Sequence, residues 1–430
     1  MRPLLMNTYD IRGGAARAAY RLHCGLRAAG IESQMLVQSK SSDDPYVDGP
    51  RSRFETLLGV MRPQFDILPT YFYPRRGSGV YYPGLLPGNY AKRVRRMKPD
   101  IVHLHWVAGG FLNPSALTDC GAPVVWTLHD MWAFTGGCHY DNGCGRYVGT
   151  CGKCPALGSS RETDLSRLVW RQKRRKWAEV SLTVVTPSRW LAECARKSAL
   201  FFDKRIEVIP NGLDITRFRA VDKQRARELL GLPTGKRLIL FGTLNANMGH
   251  RKGSQELKEA LQTFRKAQEH QNDCEVVIVG ASRPISPPDF GLPVHYMGIL
   301  NDDVTLALLA SAVDVVVVPS LQENLSNTVM EALACGTPCV AFNIGGMPDL
   351  IEHRRNGYLA RPFESLDLAH GMQWVLENKE RWCALSKRAR EKVEAEFDLR
   401  DVAERYRALY LNVLDRTGQG GHCSMLNVVS

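Results

Sequence analysis

Short apolar runs alternate with amphipathic helical stretches along most of this 430-residue sequence, and no other feature constrains the fold as much. Such an alternation is typical of parallel sheets covered by helices. It predicts strands at residues 4–7, 31–38, 101–105, 124–129 and 182–186 in the first half, and at 237–241, 276–279 and 315–319 in the second. We therefore predict an α/β fold with two Rossmann-like parallel-sheet domains.

The length of the chain also favours two domains, because one hydrophobic core rarely extends beyond about 250–300 residues. The turn sequence Pro210-Asn211-Gly212 marks a connection between them. We predict an N-terminal domain at 1–207 with a cysteine-rich insert at 136–156, a C-terminal domain at 208–395, a closing helix at 396–415 and a loose tail at 416–430. Residues 39–90 show no clean period and are expected to form loops.

Positive charge is concentrated in the first half of the chain. Residues 1–210 carry 30 Lys and Arg against 17 Asp and Glu, whereas residues 211–430 carry 26 against 27. Two runs hold much of the excess, AKRVRRMKPD at 91–100 and WRQKRRKW at 170–177. Each is either a solvated helix face or a surface for an anionic membrane, since Trp170 and Trp177 flank five basic residues. Nucleic-acid binding fits the rest of the sequence poorly.

The sequence contains no long apolar run. No window of about 18 consecutive apolar residues is present, and the start MRPLLMNTYD lacks the apolar region of a signal peptide. We therefore expect a cytoplasmic protein, placed by its basic half at the inner face of the cytoplasmic membrane. Most of the twelve cysteines are expected to be reduced thiols.

Two glutamates follow the predicted strand 315–319, in the stretch PSLQENLSNTVMEALACGTPCVAF. Glu323 comes just after the strand, and Glu331 lies eight residues on, in a predicted helix that Ser326 and Asn327 are placed to begin. Ligands of doubly wound sheets bind beyond the carboxyl ends of the strands, and the N–H groups at a helix start bind phosphate. The spacing alone is common, so it does not by itself distinguish a nucleotide site from an incidental pair.

The wider sequence resembles the family 4 retaining glycosyltransferases of GT-B fold. The resemblance rests on DVVVVPSLQENLSNTVMEALACGTPCVAFNIGGMPDLI, on VIPNGLDITRF and on the turn Arg251-Lys252-Gly253, and it runs over nearly the whole chain. It implies two domains that face a cleft, with the acceptor in the N-terminal domain and a nucleotide sugar in the C-terminal domain. It also implies sugar transfer with retention of anomeric configuration, through an oxocarbenium-like transition state and without a catalytic metal.

The resemblance assigns roles to residues around the two glutamates. It implies that Glu323 contacts the donor sugar, that Glu331 binds the nucleotide ribose, and that the backbone of Leu325, Ser326 and Asn327 contacts the diphosphate.

It also implies a basic pair on the diphosphate, and Lys252 matches the lysine of that pair, whose charge neutralises the leaving group. Thr243 stands where the family usually has arginine. Either Arg251 replaces that arginine, or the backbone around Asn245 takes a larger part.

In the first half, Gly13 and Gly14 match a glycine loop that approaches the donor phosphate or the acceptor. His129 matches a histidine beside the donor sugar, so we predict it as a catalytic residue together with Glu323. His103 and His105 alternate with apolar residues on a strand, and at least one of them is expected to face solvent or the cleft.

Four cysteines, Cys138, Cys144, Cys151 and Cys154, fall within GGCHYDNGCGRYVGTCGKCP. The last two have zinc-site spacing, whereas the other gaps are unusual for one. A structural zinc site, paired disulfides and unligated thiols all remain open. A similar cluster occurs in a bacterial subgroup that resembles the exopolysaccharide transferases of colanic acid assembly.

The sequence therefore predicts a glycosyltransferase that extends a glycan, on a polyprenyl-diphosphate or other lipid carrier, in bacterial exopolysaccharide or capsule synthesis. Two alternatives remain open. One is a nucleotide-sugar epimerase of the same fold, and the other is a catalytically silent module that binds nucleotide sugars or glycans.

Overall fold

The computed structural model describes residues 1–88, 90–113, 120–242, 250–267, 273–300 and 302–423. The chain divides into two compact units, Met1–Gly212 together with the segment from Arg400 onward, and Leu213–Leu399. We call them the N-terminal unit and the C-terminal unit. The division falls at Gly212, the last residue of the Pro-Asn-Gly turn, whereas the sequence placed it at residue 207.

The N-terminal unit contains seven strands in one sheet. Its elements in chain order are β1 (Pro3–Tyr9), α1 (Gly14–Ala28), β2 (Gln34–Ser39), β3 (Val47–Asp48), α2 (Arg53–Ile67), α3 (Tyr90–Met97), β4 (Ile101–Leu104), β5 (Val124–Thr127), α4 (Leu165–Ala178), β6 (Leu182–Thr186), α5 (Arg189–Lys197) and β7 (Arg205–Val208). The strands lie in the order β3-β2-β1-β4-β5-β6-β7, and every neighbouring pair is parallel.

The C-terminal unit contains a second parallel sheet. Its elements are α6 (Lys223–Leu230), β8 (Arg237–Gly242), α7 (Ser254–Ala267), β9 (Cys274–Val279), β10 (Val294–Tyr296), α8 (Asp303–Ala312), β11 (Val315–Val318), α9 (Asn327–Ala334), β12 (Cys339–Phe342), α10 (Met347–Leu350), β13 (Gly357–Ala360), α11 (Ser365–Leu376) and α12 (Lys379–Glu396). The order is β10-β9-β8-β11-β12-β13, and every neighbouring pair is parallel.

The two sheets confirm the predicted α/β class with two Rossmann-like units. Their central strands are short apolar runs, such as the four valines of β11, and all four are buried because helices cover both faces of the sheet. In each sheet the direction of winding reverses between two neighbours, β1 and β4 in one unit and β8 and β11 in the other. Ligands of such sheets bind at that reversal, beyond the carboxyl ends of the strands.

The prediction of loops at 39–90 was wrong, because this segment contains β3, α2, a 3-10 helix at Leu68–Phe72 and α3. Helix α2 escaped detection because it buries Gly59, Pro63 and Asp66 and exposes most of its apolar residues. A Cβ on Gly59 would lie 2.7 Å from the carbonyl oxygen of Gln38, so the helix approaches β2 closely. The inner face of this helix therefore does not consist of apolar residues that repeat every three or four positions, which is the pattern that identifies a helix in a sequence.

The last helix, α13 (Leu399–Cys423), belongs to the N-terminal unit apart from its first residue. It extends into the segment that the sequence predicted as a loose tail from residue 416. The glycines of this segment lower helix propensity by about 1 kcal/mol each, but they end a helix only where the backbone turns left-handed.

Candidate functional site

Two cations and one carboxylate meet in the C-terminal unit. A 3-10 helix, His250–Lys252, follows β8 along the chain, and Glu323 follows β11. Lys252 Nζ donates a 2.6 Å hydrogen bond to Glu323 Oε2, and Arg251 Nη1 donates one of 3.3 Å to the same oxygen. Arg251 Nη1 also donates to the carbonyl oxygen of Gln322 at 2.8 Å. The structure thus brings together three predicted site residues at the reversal of the sheet.

The charges in this cluster determine the protonation state of Glu323, which is only 8% exposed. Burial alone would raise the pKa of its carboxyl, but the charges of Lys252 and Arg251 outweigh burial and lower the pKa to about 2. Glu323 is therefore ionised at neutral pH. Two positive charges against one negative leave the cluster suited to an anionic ligand.

Two glycines allow the backbone to close around Glu323. Gly253 has a φ of +70°, and a Cβ there would lie 1.8 Å from the carbonyl oxygen of Pro319. Gly345 has a φ of +53°, and its Cβ would lie 2.0 Å from the carbonyl oxygen of Glu323. The N–H of Gly346 donates to that same oxygen at 3.1 Å. Our sequence reasoning missed Gly345 and Gly346, although the pair Gly-Gly in NIGGMPDLI was a visible signal.

Helix α9 begins directly after the cluster. Ser326 is its N-cap, with the side chain accepting a hydrogen bond from the N–H of Val329, and Asn327 is the first helical residue. Leu325 is buried beside the cap, and Glu331 is buried one turn into the helix. The predicted cap, helix start and second glutamate therefore lie on one element. Thr243 and Asn245, the positions that depart from the family pattern, lie outside the described residues.

In the N-terminal unit, Gly13 caps α1, which begins at Gly14. Gly13 has a φ of +95°, and a Cβ built there meets no atom within 4 Å. The residue is therefore required for its backbone conformation and not for close packing. Asp10 holds this loop, since its carboxylate accepts hydrogen bonds from the N–H groups of Ile11, Ser41 and Ser42.

His129 lies at the end of β5 and pairs with His105 at the end of β4. His105 Nδ1 and His129 Nε2 are 3.0 Å apart, and the two rings stack at 5.3 Å. Burial lowers the pKa of His129 to about 4, so the imidazole is neutral at pH 7.

His103 and His105 are both buried, so neither faces solvent, and the alternative that one of them faces the cleft stays a prediction. They are two residues apart and so share one face of β4, where α13 covers His103. His103 Nδ1 lies 2.6 Å from the hydroxyl of Tyr410 on that helix, and its Nε2 lies 2.8 Å from the hydroxyl of Thr127.

A second pair, Asp130 with the buried His139, lies next to His129. His139 Nδ1 donates a 2.6 Å hydrogen bond to Asp130 Oδ2, and Trp106 Nε1 donates one of 2.8 Å to the same oxygen. Burial would raise the pKa of Asp130, but these partners outweigh it and lower the pKa. Asp130 also accepts from the N–H of Trp132 at 2.8 Å. It therefore orients His139, which our sequence reasoning missed.

Three half-buried aromatic side chains, Tyr9, Tyr82 and Trp106, gather over this pair, and we call them the aromatic cluster. Tyr9 stacks on Trp106 with ring centroids 6.2 Å apart, and Tyr82 meets Trp106 edge-on at 6.0 Å. Tyr82 also meets His139 edge-on at 5.5 Å. Tyr9 ends β1 and Trp106 follows β4, so the cluster lies where this sheet reverses.

The four clustered cysteines are free thiols. Cys138, Cys151 and Cys154 are buried near Tyr81, whereas Cys144 is only half-buried and lies in a separate turn that begins at Asp141. Lys173 holds the loop before them by donating to the carbonyl oxygens of Trp132 and Thr135.

The described residues contain no group of three or more His, Cys, Asp or Glu side chains placed to hold a metal ion. The zinc site at Cys138, Cys144, Cys151 and Cys154 stays a prediction. Elemental analysis of protein purified without chelator tests it, because a closed zinc site needs four ligands around one ion. About one zinc per chain would establish the site, and less than about 0.2 zinc per chain would exclude it.

The two basic runs lie on helices α3 and α4. In α4, Trp170 and Trp177 are seven residues apart and therefore on one face, which packs into the core. The interpretation of these two tryptophans as membrane anchors was wrong. Within the described ranges, no helix combines the length and the apolar character needed to cross a bilayer.

Comparison with known proteins gives two family matches. Residues 12–217 match the family described as Glycosyltransferase Family 4, and residues 235–378 match the one described as Glycosyl transferases group 1. The chain is 28% identical over 382 residues to the D-inositol 3-phosphate glycosyltransferase of Arthrobacter sp. (strain FB24), covering 85% of this chain and 82% of that protein. It is 27% identical over 282 residues to the putative colanic acid biosynthesis glycosyl transferase WcaC of Escherichia coli (strain K12), covering 61% of this chain and 64% of that protein.

A solved structure, that of Anabaena Alr3699/HepE in complex with UDP-glucose, has a similar fold. It is 17% identical with a TM-score of 0.64, covering 96% of this chain and 100% of that one. At this level of identity, the likeness shows a shared fold and nothing more.

Proposed function

Because this chain belongs to the family 4 glycosyltransferases, with the GT-B fold, we propose that it transfers a sugar from a nucleotide diphosphate sugar to a glycan acceptor. We further propose that the anomeric configuration is retained, and that the product belongs to a bacterial exopolysaccharide or capsule. The relative named for colanic acid biosynthesis supports the last point.

The observation that carries this proposal is the cluster of Arg251, Lys252 and Glu323 at the sheet reversal of the C-terminal unit. Departure of a nucleotide diphosphate develops negative charge on its phosphates, and fixed cations stabilise that charge most where water is excluded. Lys252 is held by a buried carboxylate, so its position is set before the donor binds. Arg251 and Lys252 supply positive charge without a metal ion, and we propose that transfer is metal-independent.

The neighbouring groups complete the donor site. The N–H groups at the start of α9, at Asn327 and beyond, face the diphosphate, and Glu331 accepts the ribose hydroxyls. Every side-chain hydrogen bond that the described residues donate to the carboxylate of Glu323 goes to Oε2. Oε1 is then available to a hydroxyl of the donor sugar, so Glu323 orients both the cations and the sugar.

A thermal-shift screen with UDP-, GDP-, ADP- and dTDP-sugars tests this proposal. A ligand that binds only the native state raises the free energy of unfolding, by about 2.7 kcal/mol at 100 times its Kd. At least one of the four classes is expected to raise the Tm, equally with and without EDTA. No shift with any of them would contradict a donor site, and conversion of the donor alone to an isomer would indicate an epimerase.

We place the acceptor at the aromatic cluster. Ligand sites combine aromatic side chains with a few polar groups, and the cluster offers the faces of Tyr9, Tyr82 and Trp106 together with two phenol hydroxyls. Of the relatives above, one is named for D-inositol 3-phosphate, a polyhydroxylated compound, and the other, as putative, for colanic acid biosynthesis. A sugar ring matches these surfaces, and the adjacent His129 is proposed to lie beside the transferred sugar.

Replacing Trp106 with alanine is expected to raise the KM for the acceptor about tenfold, because a stacking surface is lost. The donor Kd is expected to stay unchanged, since Trp106 belongs to the other unit. Steady-state kinetics over acceptor concentration measure the first effect and calorimetry the second. The variant Phe202→Ala, at an exposed aromatic elsewhere in the N-terminal unit, is the control. An unchanged acceptor KM would exclude the cluster from acceptor binding.

We also propose that the protein binds an anionic membrane through helix α2 and the following 3-10 helix Leu68–Phe72. Apolar side chains there are unusually exposed, with Phe54 at 73% and Phe72 at 88%, and Leu57, Val60 and Tyr71 above half. Exposed apolar residues concentrated in this way mark an interaction site.

Charge selects a bilayer as the occupant of this surface. Between positions 51 and 98 the sequence has ten Lys and Arg against two acidic residues, one of which, Asp66, is buried. Apolar side chains rimmed by cations suit the interface of an anionic bilayer. An acceptor carried on a lipid would then reach the enzyme at the surface of the membrane.

The double variant Phe54→Ser/Phe72→Ser is expected to reduce binding to vesicles of phosphatidylcholine with phosphatidylglycerol by more than about tenfold, because each buried phenyl contributes about 1.5–3 kcal/mol. Vesicle flotation measures the bound fraction. The variant Phe202→Ser, at a side chain 72% exposed, is the matched control. Undiminished flotation of the double variant, or equal binding of the wild type to neutral vesicles, would contradict this surface.

A further inference from the structure

The outer face of helix α4 forms a concave surface that the proposed transfer reaction does not use. This cavity, of about 470 Å³, is lined by Thr150, Arg167, Trp170, Arg171, Arg174 and Arg175, together with Ala178. We call it the arginine cavity. All of its lining residues belong to the N-terminal unit, whereas the donor residues belong to the C-terminal unit.

The four arginines share one stretch of helix surface. Positions 167, 171, 174 and 175 are spaced by three, four, seven or eight residues, apart from the adjacent pair 174 and 175, so their side chains project from neighbouring turns. Like charges at these spacings repel and weaken a helix unless a counter-charge is present. Repulsion among the basic residues of the run WRQKRRKW therefore destabilises α4. Burial of Trp170 and Trp177 does not require these basic residues.

Counter-charges from the protein are few at this face. Arg167 Nη2 pairs with Glu162 Oε2 at 3.0 Å, and the neighbouring Lys176 pairs with Glu179 at 3.2 Å. Within the described part of the chain, no carboxylate lies within ion-pair distance of Arg171, Arg174 or Arg175. Three guanidinium groups at the cavity are therefore available to an external anion.

Trp170 supplies a second, independent observation. Its side chain lines the cavity and is 2% exposed, and its indole Nε1 is buried without a hydrogen-bond partner among the described residues. An indole N–H is only a donor, as is a guanidinium. Trp177, on the same buried face of α4, also leaves its indole Nε1 without a partner among the described residues, but only Trp170 lines the cavity.

The chemistry of the lining defines the class of ligand. Guanidinium groups and the indole N–H offer donors alone, and Thr150 adds a hydroxyl, so the complementary ligand is rich in acceptors and negatively charged. Phosphate oxygens match the planar fork of arginine in pairs. Several guanidinium groups around one concave surface favour a phosphate or diphosphate over a single carboxylate.

We propose that the arginine cavity binds a phosphate or diphosphate group at a site separate from the donor site. The group belongs either to the headgroup of an anionic lipid or to a soluble phosphorylated compound, and both present the same oxygens to the arginines. The site works independently of the transfer reaction, so failure of one proposal leaves the other standing.

Calorimetric titration with inorganic pyrophosphate tests the shared chemistry. The double variant Arg171→Gln/Arg174→Gln is expected to weaken pyrophosphate binding at one class of site by at least tenfold, while Lys252→Ala weakens a different class. Glutamine keeps helix propensity at exposed positions, so the variant is expected to fold. The variant Lys387→Gln/Arg388→Gln on α12 removes the same charge elsewhere and is expected to leave binding unchanged.

Vesicles identify the source of the phosphate. If flotation on phosphatidylglycerol vesicles also depends on Arg171 and Arg174, the ligand is a lipid headgroup; if only pyrophosphate binding depends on them, it is soluble. Equal pyrophosphate affinity in the wild type and in Arg171→Gln/Arg174→Gln would overturn the proposal. Unchanged affinity for the nucleotide sugar in that variant shows that the donor site is intact.

Discussion

Replacing Lys252 with alanine is expected to slow sugar transfer by about 100- to 1000-fold, the loss found when one fixed donor to a developing oxyanion is removed. Lys252 Nζ lies 2.6 Å from Glu323 Oε2 and is the shorter of the two cationic contacts in the cluster. Its loss removes both a charge on the leaving diphosphate and the partner that fixes Glu323. Single-turnover rates with the preferred donor measure the effect.

The same substitution changes the pH dependence of stability. In the wild type, the pKa of Glu323 is lowered from 4.5 to about 2, so the ion pair stabilises the fold above about pH 4.5 and is lost as pH falls through 2. Without Lys252, burial of the carboxyl is opposed by Arg251 alone, and the pKa rises. Acid unfolding of Lys252→Ala is therefore expected to begin at higher pH than that of the wild type.

Two further variants separate catalysis from folding. Lys252→Ala/Glu323→Gln removes the carboxylate that the single variant leaves without its main partner, so its Tm is expected to recover while transfer stays slow. Lys266→Ala, at an exposed position on α7, is the matched control and is expected to transfer normally. Recovery of transfer in the double variant, or normal transfer by Lys252→Ala, would exclude the proposed role.

Replacing Glu331 with alanine is expected to weaken nucleotide-sugar binding about 10- to 100-fold, since hydrogen bonds to a charged group contribute about 1.5–3 kcal/mol. Glu331 is buried on α9, one turn after the helix start that is proposed to bind the diphosphate. Alanine is a strong helix former, so the helix itself is expected to persist. Calorimetric titration with the donor measures the Kd.

The control for this prediction is Glu391→Ala, at an exposed acidic position on α12. It carries the same change of charge within the same unit. Donor affinity equal to the wild type in Glu331→Ala would show that the ribose binds elsewhere.

The sequence was sufficient to predict the residues that follow directly from strand ends. Strand β6 has the predicted bounds, and β11 ends one residue before its predicted end, because buried parallel strands are short apolar runs. The resemblance to the family 4 glycosyltransferases then placed Glu323 and Lys252 at one donor site. The ion pair itself could not be predicted, since it depends on the close approach that Gly253 and Gly345 allow.

Features that depend on tertiary packing escaped prediction. Helix α2 exposes its apolar residues, and His103 is buried only because α13 returns from the end of the chain to cover it. The pairing of Asp130 with His139 joins residues nine apart across an irregular loop. No local period of the sequence indicates such contacts.

Hydrogen exchange with and without the donor tests the central claim most directly, because it locates the nucleotide sugar on the chain. The account predicts slower exchange in the segment that contains Arg251 and Lys252 and at the start of α9, around Asn327. These effects are expected to disappear in Glu331→Ala at the same donor concentration. Protection confined to other segments of the chain would contradict a donor site built on Lys252, Glu323 and Glu331.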